Sequence, residues 1–336
     1  MRAIELRSFE RTPESLVVVE KPVPRAGKGQ VLVKMAAAPI NPSDLAFLRG
    51  LYGLKKSLPV VPGLEGSGVV VAAGGGLRAR LLMGRRVACS APPGGDGTWA
   101  EYMVTSAAVC FPLGKKVSLE QGAMSFVNPL TAWALMDLAR RGGHRAVVQT
   151  AAASALGRMI LRLAQRFGIH AVHIVRRDEQ VELLRSLGAQ HVLNSNRPQF
   201  DAELQRLCAQ LNARLAFDAV AGEMTNRLVR ALAPGGRIVV YGALEGAPCQ
   251  ADPGALIFAG KSVEGFWLKD WLRNRSLLAQ YLAMRNVQKL LASDLQSDVQ
   301  ARLPLEDVTK ALEQYVSGMT RGKILLLPPP LDPLLS

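Results

Sequence analysis

The residues best suited to binding phosphate lie near the middle of the chain. The run AVVQTAAASALGRMIL reads as a short buried strand, a tight turn and a helix. Such a turn directs backbone N–H groups and the positive end of the helix toward an anion, as in dinucleotide folds. The predicted contact residues are Ser154, Ala155, Leu156 and Gly157, of which only Gly157 is a glycine. A plain strand–helix turn of a flavodoxin-like or hydrolase sheet is the alternative that this loop leaves open.

Two adjacent arginines follow the next predicted strand. The sequence HAVHIVRRDEQ places Arg176 and Arg177 about 20 residues past the loop, where an NAD site requires an acidic residue for the ribose 2′-OH. Two guanidinium groups instead suit the 2′-phosphate of NADP through bidentate hydrogen bonds. The pattern therefore predicts NADPH as the cofactor. The alternative is that both arginines face solvent at the start of a helix.

The cysteines and histidines follow no pattern expected for a metal site or an activated nucleophile. Cys89, Cys110, Cys208 and Cys249 are far apart in sequence and form no CxxC pair, which argues against a thiolate zinc site and a disulfide framework. We therefore expect no bound metal and a reducing, cytoplasmic location. No apolar run reaches the ~18–20 residues of a membrane span, and the N-terminal residues lack the regions of a signal peptide.

The chain is strongly basic. Its 41 Lys and Arg residues against 27 Asp and Glu give a formal net charge of +14. Most of these cations recur at helical spacing, which is typical of solvated helix faces. Aromatic residues make up only 5% of the 336 residues, too few to suggest base-stacking surfaces. The charge therefore favours a phosphate-rich ligand over nucleic acid as the partner.

The segments that must position these residues fall into three parts. Residues 1–118 contain short β-type runs separated by Gly and Pro, which predicts a mostly antiparallel β-domain. Residues 119–262 alternate strand and helix, the rhythm of βαβ units on a doubly wound parallel sheet. Residues 263–336 are mixed again, include a helix near 275–293, and end in PPPLDPLLS, a predicted loose tail. The sequence thus predicts an α/β dinucleotide-binding domain inserted in a β-rich domain.

Several motifs together identify a family resemblance over nearly the whole chain. They are INPSDLAFLRGLYG, PVVPGLEGSGVVVAAG, NPLTAWALMDL, SLGAQHVLN, PGGRIVVYG, GFWLKDW and RGKILLL. The chain resembles the zinc-independent members of the medium-chain dehydrogenase/reductase superfamily, in the branch of quinone oxidoreductases and 2-enoyl thioester reductases. This resemblance implies a Rossmann NADP-binding domain inserted in a GroES-like catalytic domain. It also implies a homodimer.

The resemblance argues against catalytic zinc. Zinc-dependent members carry Cys where this chain has Asn41 and His where it has Leu64, and neither residue can bind zinc as those would. Reduction of an activated C=C or of a quinone needs no such Lewis acid, since hydrogen-bond donors can stabilise the developing enolate.

The resemblance assigns catalytic roles to Tyr52 and Asn41. In enoyl thioester reductases a tyrosine in the matching GxY segment is the expected proton donor, and the Tyr52 phenol, with an ordinary pKa near 10, would hold its proton. A tyrosine that only packs at the rim is the alternative. Asn41 is expected beside the nicotinamide or substrate, with a turn-forming role before Pro42 as its alternative. Asp44 is expected to cap a helix and Glu65 to be a buried structural carboxylate.

Further cofactor contacts are implied only by the resemblance. Thr131 would reach the nicotinamide ribose or pyrophosphate, and Gly242 would let the chain pass close to the cofactor. Lys323, with Arg321 beside it, would neutralise a cofactor phosphate. The nicotinamide pocket would be lined by Phe266, Trp267 and Leu268, although Trp267 fits a core role nearly as well.

The predicted function is an NADPH-dependent reductase of a small-molecule 2-enoyl thioester carried by coenzyme A or acyl carrier protein. A quinone reductase is the first alternative, and a non-catalytic relative that binds NADPH or RNA is the second.

Overall fold

The structure, a computed structural model, describes residues 1–10 and 15–330, apart from the side chain of Leu277. The chain divides into two compact units, one of Met1–Pro129 with Met284–Ser336 and one of Leu130–Ala283. The final residues of the predicted tail, 331–336, lie outside the described part of the chain.

The N-terminal part of the first unit is rich in short strands, as its sequence predicts. Its elements are β1 (Arg2–Leu6), β2 (Leu16–Glu20), β3 (Gln30–Pro39), α1 (Pro42–Leu48), β4 (Glu65–Ala73), α2 (Leu77–Leu81), β5 (Arg86–Ser90), β6 (Tyr102–Ser106), β7 (Cys110–Pro112) and α3 (Leu119–Ala123). The unit is completed near the C-terminus by β14 (Val299–Pro304), α12 (Val308–Ser317) and β15 (Lys323–Leu327).

Strands from both ends of the chain form one sheet in this unit. The order is β14-β15-β3-β4-β5-β7, with β6 also paired to β3, and only the β14–β15 pair is parallel among these strands. The central strand β3 is mostly buried and apolar, as expected for a strand covered on both faces. Because β15 lies directly against β3, residues near the C-terminus reach the segment that follows β3.

The second unit alternates strands and helices. Two helices cross its boundaries in the chain, α4 (Val127–Arg141) at its start and α11 (Leu277–Leu290) at its end. Between them follow β8 (Ala146–Gln149), α5 (Ala155–Phe167), β9 (His170–Val175), α6 (Asp178–Ser186), β10 (His191–Asn194), α7 (Phe200–Gln210), β11 (Leu215–Asp218), α8 (Gly222–Ala231), β12 (Arg237–Val240), α9 (Pro253–Phe258), β13 (Ser262–Gly265) and α10 (Leu268–Arg273).

These strands form a parallel sheet in the order β10-β9-β8-β11-β12-β13. Counted within the unit this is 3-2-1-4-5-6, the order of a Rossmann sheet. The strand order reverses between β8 and β11. Ligands of such folds bind outside the carboxyl ends of the strands at this reversal, so the loops after β8, β9 and β11 are where a cofactor site is expected.

Helix α5 shows how the local sequence builds these units. Leu156, Ile160 and Leu163 recur at helical spacing and are buried, which holds the helix against the sheet. Gly168 ends the helix in the left-handed conformation, with φ 65°, which only glycine adopts without strain.

Both observed unit boundaries lie later in the chain than the predicted ones at 118/119 and 262/263. Helix α3 packs against β3, β4 and β5, which keeps the segment after 118 in the first unit. Strand β13 pairs with β12 as the sixth strand of the parallel sheet, which keeps the segment after 262 in the second. Among the described residues, no helix is both long enough and apolar enough to cross a membrane.

Candidate functional site

The loop after β8 in the second unit has the shape of an anion-binding turn. Ser154 caps α5, and its Oγ accepts a hydrogen bond from the Gly157 N–H at 3.1 Å. A Cβ atom on Gly157 would lie 2.4 Å from the Ala152 carbonyl oxygen, so only glycine allows the helix to pack this closely. Ala151 adopts a positive φ of 48° where a glycine would be unstrained. The loop is therefore compatible with a pyrophosphate despite its missing glycines.

Gln149 and His173 hold this loop against the parallel sheet through hydrogen bonds. The Gln149 Nε2 donates to the Gly157 carbonyl at 3.0 Å and lies 2.7 Å from His173 Nδ1. Burial lowers the pKa of His173 to about 4, so the imidazole is neutral and its Nδ1 can accept this bond. The pair ties the first turn of α5 to β8 and β9.

Asp218 joins the two loops at the reversal of strand order. Its fully buried carboxylate accepts hydrogen bonds from Thr150 Oγ1 at 2.9 Å, from Thr225 Oγ1 at 2.7 Å and from the Val220 N–H at 2.9 Å. Thr150 Oγ1 in turn accepts from the Ala219 N–H at 2.8 Å. No motif in the sequence had indicated this set of contacts around Asp218. The only indication in the sequence is that a polar residue lies at the end of each of two buried strands, Thr150 in the pair QT and Asp218 in the pair FD.

Arg176 and Arg177 are exposed at the carboxyl end of β9, where the sequence placed them. The Arg177 Nε lies 2.8 Å from Glu179 Oε1. The loop after β10 adds two polar residues that the sequence analysis did not single out. Asn196 Nδ2 donates to the Arg176 carbonyl at 2.9 Å, and the Arg197 guanidinium pairs with Asp178 at 2.6 Å. These contacts hold the arginine segment in place, and binding of a 2′-phosphate there stays a prediction.

Two further residues predicted for the cofactor, Thr131 and Gly242, lie in the same unit. Thr131 is buried in α4. Gly242 lies close to the loop after β11, since a Cβ atom there would be 2.9 Å from the Ala219 carbonyl oxygen.

The GFWL segment continues the edge of the same sheet. The Phe266 N–H donates to the Val240 carbonyl at 2.7 Å, and Trp267 and Leu268 are half-buried at the start of α10. The Lys269 Nζ lies 4.9 Å from the centre of the Trp267 ring. Contacts of these residues with a cofactor stay predictions.

The first unit contains a buried polar cluster centred on Asn41. The Asn41 Nδ2 donates to Glu65 Oε1 at 3.0 Å, and its Oδ1 accepts from the Lys323 ammonium. Glu65 Oε2 accepts from the Phe126 and Val127 N–H groups at 2.8 and 3.0 Å. All of the side chains in this network are almost completely shielded from solvent. The amide of Asn41 therefore lies between a buried acid and a buried base.

Asp44 completes the cluster at the start of α1. Its carboxylate accepts from the Asn41 N–H at 2.8 Å and from the Leu64 N–H at 3.2 Å, so the capping role predicted from NPSD is confirmed. Glu65 is buried, as expected.

Burial shifts the ionisation of all three charged groups in the cluster. It raises the pKa of Asp44 to about 7, lowers the pKa of Lys323 to about 8, and raises the pKa of Glu65. The attraction between the Lys323 ammonium and the two carboxylates opposes each of these shifts.

The position of Lys323 differs from the sequence expectation. It was expected to neutralise a cofactor phosphate, whereas its side chain is 2% exposed and its Nζ contacts Asn41 Oδ1 and, at 3.4 Å, the Ile40 carbonyl. The reason is topological, because β15 runs between β14 and β3 and turns this side chain inward. Arg321 beside it is exposed. For Asn41, which is also fully buried, a contact with nicotinamide or substrate stays a prediction.

Tyr52 is half-buried and packs against a hydrophobic cluster of Leu6, Phe47 and Val60. Helix α1 connects this cluster to the polar one, since Phe47 lies on the Tyr52 side and Asp44 on the Asn41 side. This packing agrees with the alternative of a rim tyrosine and is also compatible with a phenol that reaches substrate.

The described residues contain no group of three or more His, Cys, Asp or Glu side chains that could hold a metal ion. Cys89 and Cys110, distant in sequence, face each other across β5 and β7 as free thiols. Burial raises the pKa of Cys110 to about 12 and that of Cys89 well above its usual value. Both thiols are therefore protonated, and a thiolate ligand is not expected there.

Two family models match the sequence. Residues 27–115 match the alcohol dehydrogenase GroES-like domain, and residues 155–283 match the zinc-binding dehydrogenase domain.

The curated relatives include mitochondrial enoyl-[acyl-carrier-protein] reductases. The protein from Bos taurus is 31% identical over 89% of this chain and 81% of its own length, and that from Homo sapiens is 31% identical over 88% and 80%. Because these relatives are described as mitochondrial, they do not bear out the predicted cytoplasmic location.

Solved structures are similar along nearly the whole chain. A proposed NADPH:quinone reductase from Mesorhizobium loti is 36% identical, with a TM-score of 0.90 and coverage of 98% of both chains. A mycobacterial protein solved in complex with NADPH is 26% identical, with a TM-score of 0.85 and coverage of 98% of this chain and 100% of its own. The predicted fold and family resemblance are thereby confirmed, and the enoyl and quinone reductase relatives agree with the predicted independence from zinc.

Proposed function

Because the chain belongs to the medium-chain dehydrogenase/reductase superfamily, we propose that it is an NADPH-dependent, zinc-independent reductase of the activated C=C bond of a 2-enoyl thioester. Its relatives make it an oxidoreductase, so the non-catalytic alternative is not favoured, and they support a nicotinamide cofactor. The observation that carries the choice of NADPH is the pair of exposed arginines at the carboxyl end of β9.

The second unit supplies the residues that would hold the cofactor. The first turn of α5, capped by Ser154 and closely packed through Gly157, would bind the pyrophosphate, and Arg176 and Arg177 would bind the 2′-phosphate. When bound, the nicotinamide supplies a hydride for the β-carbon of the substrate. Asp218 holds the adjacent loops in a single conformation through its hydrogen bonds.

The first unit supplies the residues proposed to act on the substrate. As charge develops on the thioester carbonyl, the Tyr52 phenol would stabilise it by a hydrogen bond or donate a proton to the α-carbon. The buried charges of Glu65 and Lys323 hold the amide of Asn41 in one orientation. Coenzyme A and acyl carrier protein both present the acyl group on a phosphopantetheine arm, which suits a basic protein.

A quinone is the second candidate substrate. The observation that favours it is the similarity to the proposed NADPH:quinone reductase from Mesorhizobium loti, at 36% identity over 98% of both chains. The two substrates differ in their need for a proton at carbon, which gives a direct test.

Replacing Tyr52 with Phe is expected to lower the turnover of a 2-enoyl-CoA by roughly 10²–10⁴-fold, because a general acid is lost from the reaction. Turnover of a naphthoquinone by the same variant should change little. NADPH oxidation is followed at 340 nm for wild type, for Tyr52→Phe and for Tyr281→Phe, a tyrosine on α11 that serves as the control.

Three other outcomes would redirect the proposal. Quinone turnover alone, insensitive to Tyr52, would make the protein a quinone reductase. If Tyr52→Phe retained the turnover of enoyl-CoA, Tyr52 would have a packing role only. NADPH binding without either turnover would contradict both substrates.

The double variant Arg176→Ser with Arg177→Ser is expected to raise the KM for NADPH by at least about 10-fold and leave that for NADH nearly unchanged. The reason is that each charged hydrogen bond to phosphate contributes about 1.5–3 kcal/mol. Arg185→Ser, which removes an exposed arginine from α6, the helix that follows the pair, is the control. An equal loss with both cofactors would place the arginines outside the 2′-phosphate site.

We also propose a homodimer formed through the β13 edge of the parallel sheet. An exposed sheet edge offers unpaired N–H and C=O groups to a second copy, and the preceding helix α9 exposes Ile257 and Phe258 at 71% and 88%. Sedimentation equilibrium is expected to give a dimer, and Phe258→Asp to shift it toward monomer. A monomeric wild-type protein would contradict this assembly.

A further inference from the structure

A short basic helix on the first unit presents aliphatic side chains to solvent. Helix α2 and the turn after it have the sequence LRARLLMGRR. Leu77 and Leu81, one helical turn apart on the same face, are 78% and 67% exposed, and Met83 in the following turn is 45% exposed. Clustered exposed aliphatic residues of this kind mark interaction surfaces, whereas single ones do not.

The helix beneath these side chains is held firmly. Ala79 and Leu82 point the other way and are buried in the core of the β-rich sheet. The Arg78 Nε donates to the Ala107 carbonyl at 2.7 Å, and its guanidinium lies 5.8 Å from the centre of the Phe111 ring. The exposure of Leu77 and Leu81 is therefore a property of a fixed element.

Cations surround the exposed aliphatic side chains. Arg80 and Arg85 are exposed on the same segment, and Lys115 and Lys116 are exposed on the turn after β7. Two hydrogen bonds bring that turn beside Arg86, from the Leu113 N–H to the Arg86 carbonyl at 2.9 Å and from the Arg86 guanidinium to the Val117 carbonyl at 2.7 Å. We call the set of Leu77, Arg80, Leu81, Met83, Arg85, Lys115 and Lys116 the α2 surface.

The segments that form the α2 surface contain no acidic residue. Neither residues 66–95 nor residues 102–119 include an Asp or Glu. Within the described chain, none of the four cations of this surface forms an ion pair with an acid. Their charges are therefore available to an external anion.

We propose that the α2 surface docks the protein on an anionic lipid bilayer. Arginine and lysine side chains are attracted to acidic headgroups, and Leu77, Leu81 and Met83 would enter the boundary between headgroups and acyl chains. The surface lies entirely in the first unit and includes no residue assigned to the cofactor or substrate. The contact is with one face of the bilayer, since no helix of the described residues could span it.

Charge and shape favour a bilayer over other occupants. A second copy docking through the same surface would bring cations against cations, which is repulsive. Nucleic acid would engage the four cations but would leave the aliphatic side chains in water, and the surface offers no aromatic residue for stacking. A bilayer would contact the cations through its acidic headgroups and the aliphatic side chains through its acyl chains.

The test is co-sedimentation of the full-length protein with vesicles of phosphatidylcholine alone and of phosphatidylcholine mixed with phosphatidylglycerol. We expect binding to the anionic vesicles only. Arg80→Glu with Arg85→Glu should weaken it at least about tenfold, since each cation contributes about fivefold near an anionic surface. Leu77→Ser with Leu81→Ser should weaken it by a similar factor at unchanged net charge.

Matched substitutions elsewhere serve as controls. Arg206→Glu with Lys310→Glu makes the same charge change on exposed residues of other elements, and Val316→Ser removes an exposed aliphatic residue from α12. All variants are checked by thermal unfolding and by gel filtration. Equal weakening by the controls, or no preference for anionic vesicles, would overturn the proposal.

Two further results would also overturn it. Binding that is lost with the arginines but insensitive to the leucines, and matched by a DNA oligonucleotide, would mean a general polyanion surface. A change of oligomeric state in Leu77→Ser with Leu81→Ser would mean a contact between copies of the chain.

Discussion

Replacing Lys323 with Met is expected to lower the free energy of unfolding by about 3–5 kcal/mol at pH 8, the usual cost of leaving a buried charge without its compensating partner. The substitution nearly preserves the volume of the side chain but leaves the Glu65 and Asp44 carboxylates buried without a cation. It also removes the donor to Asn41 Oδ1. Urea unfolding of wild type, Lys323→Met and the exposed control Lys310→Met measures the difference.

The same substitution should be less damaging in acid. In the wild type, the folded-state pKa of Asp44 is raised to about 7, so its contribution to stability is complete below its usual pKa of 3.8 and is lost as pH rises through about 7. The pKa of Lys323 is lowered to about 8, so its contribution is complete above 10.5 and is lost as pH falls through about 8. Without the ammonium, both carboxylates hold their protons more strongly, and the loss should shrink between pH 8 and pH 5.

A second substitution separates charge from packing. In the Lys323→Met background, Glu65→Gln keeps an oxygen for the Phe126 and Val127 N–H groups but removes a negative charge. We expect it to recover part of the lost stability at pH 8. A Lys323→Met protein as stable as wild type at both pH values would show that the cluster contributes no stability.

Replacing Asp218 with Ala is expected to lower the free energy of unfolding by about 3–5 kcal/mol, because it leaves several buried donors without an acceptor. Those donors are the Thr150 and Thr225 hydroxyls and the Val220 and Ala221 N–H groups. The loops after β8 and β11 should also lose protection in amide hydrogen exchange, since both depend on this carboxylate. Asp201→Ala, which removes an exposed ion pair with Arg227, is the control and should cost about 1 kcal/mol or less.

Two results would contradict the role given to Asp218. One is a stability equal to that of the Asp201→Ala control. The other is a uniform change of exchange rates that spares the two loops, which would mean that Asp218 stabilises the unit without organising its ligand-binding edge.

Elements with local signals were predicted well from the sequence. Glycines at 168 and 188 end helices at the predicted positions, both with positive φ, because a helix end is decided by the conformations open to a few adjacent residues. The strands AVVQ, HAVHIV and HVLN and the helices between them also lie where the hydrophobic pattern put them. For the same reason, the arginine pair was correctly placed after β9.

Contacts between distant segments could not be predicted in this way. Lys323 and Asn41 are 282 residues apart, and no local pattern indicates that β15 lies against β3 or that the lysine turns inward. The contacts around Asp218 join residues 68 apart, and the assignment of residues after 262 to the second unit depends on β13 pairing with β12. The exposure of Leu77 and Leu81 likewise follows from which face of α2 the sheet buries.

The sequence by itself determined the alternation of strands and helices around the phosphate loop, the residue types at Asn41 and Leu64 that cannot bind zinc, and the position of the arginine pair, because these depend on residue chemistry and short-range periodicity. Only the tertiary structure decided that Lys323 belongs to a buried cluster and that α2 presents leucines to solvent. Strand pairing over long sequence distances sets which side chains meet, and the free energy of that pairing depends on the whole packed unit.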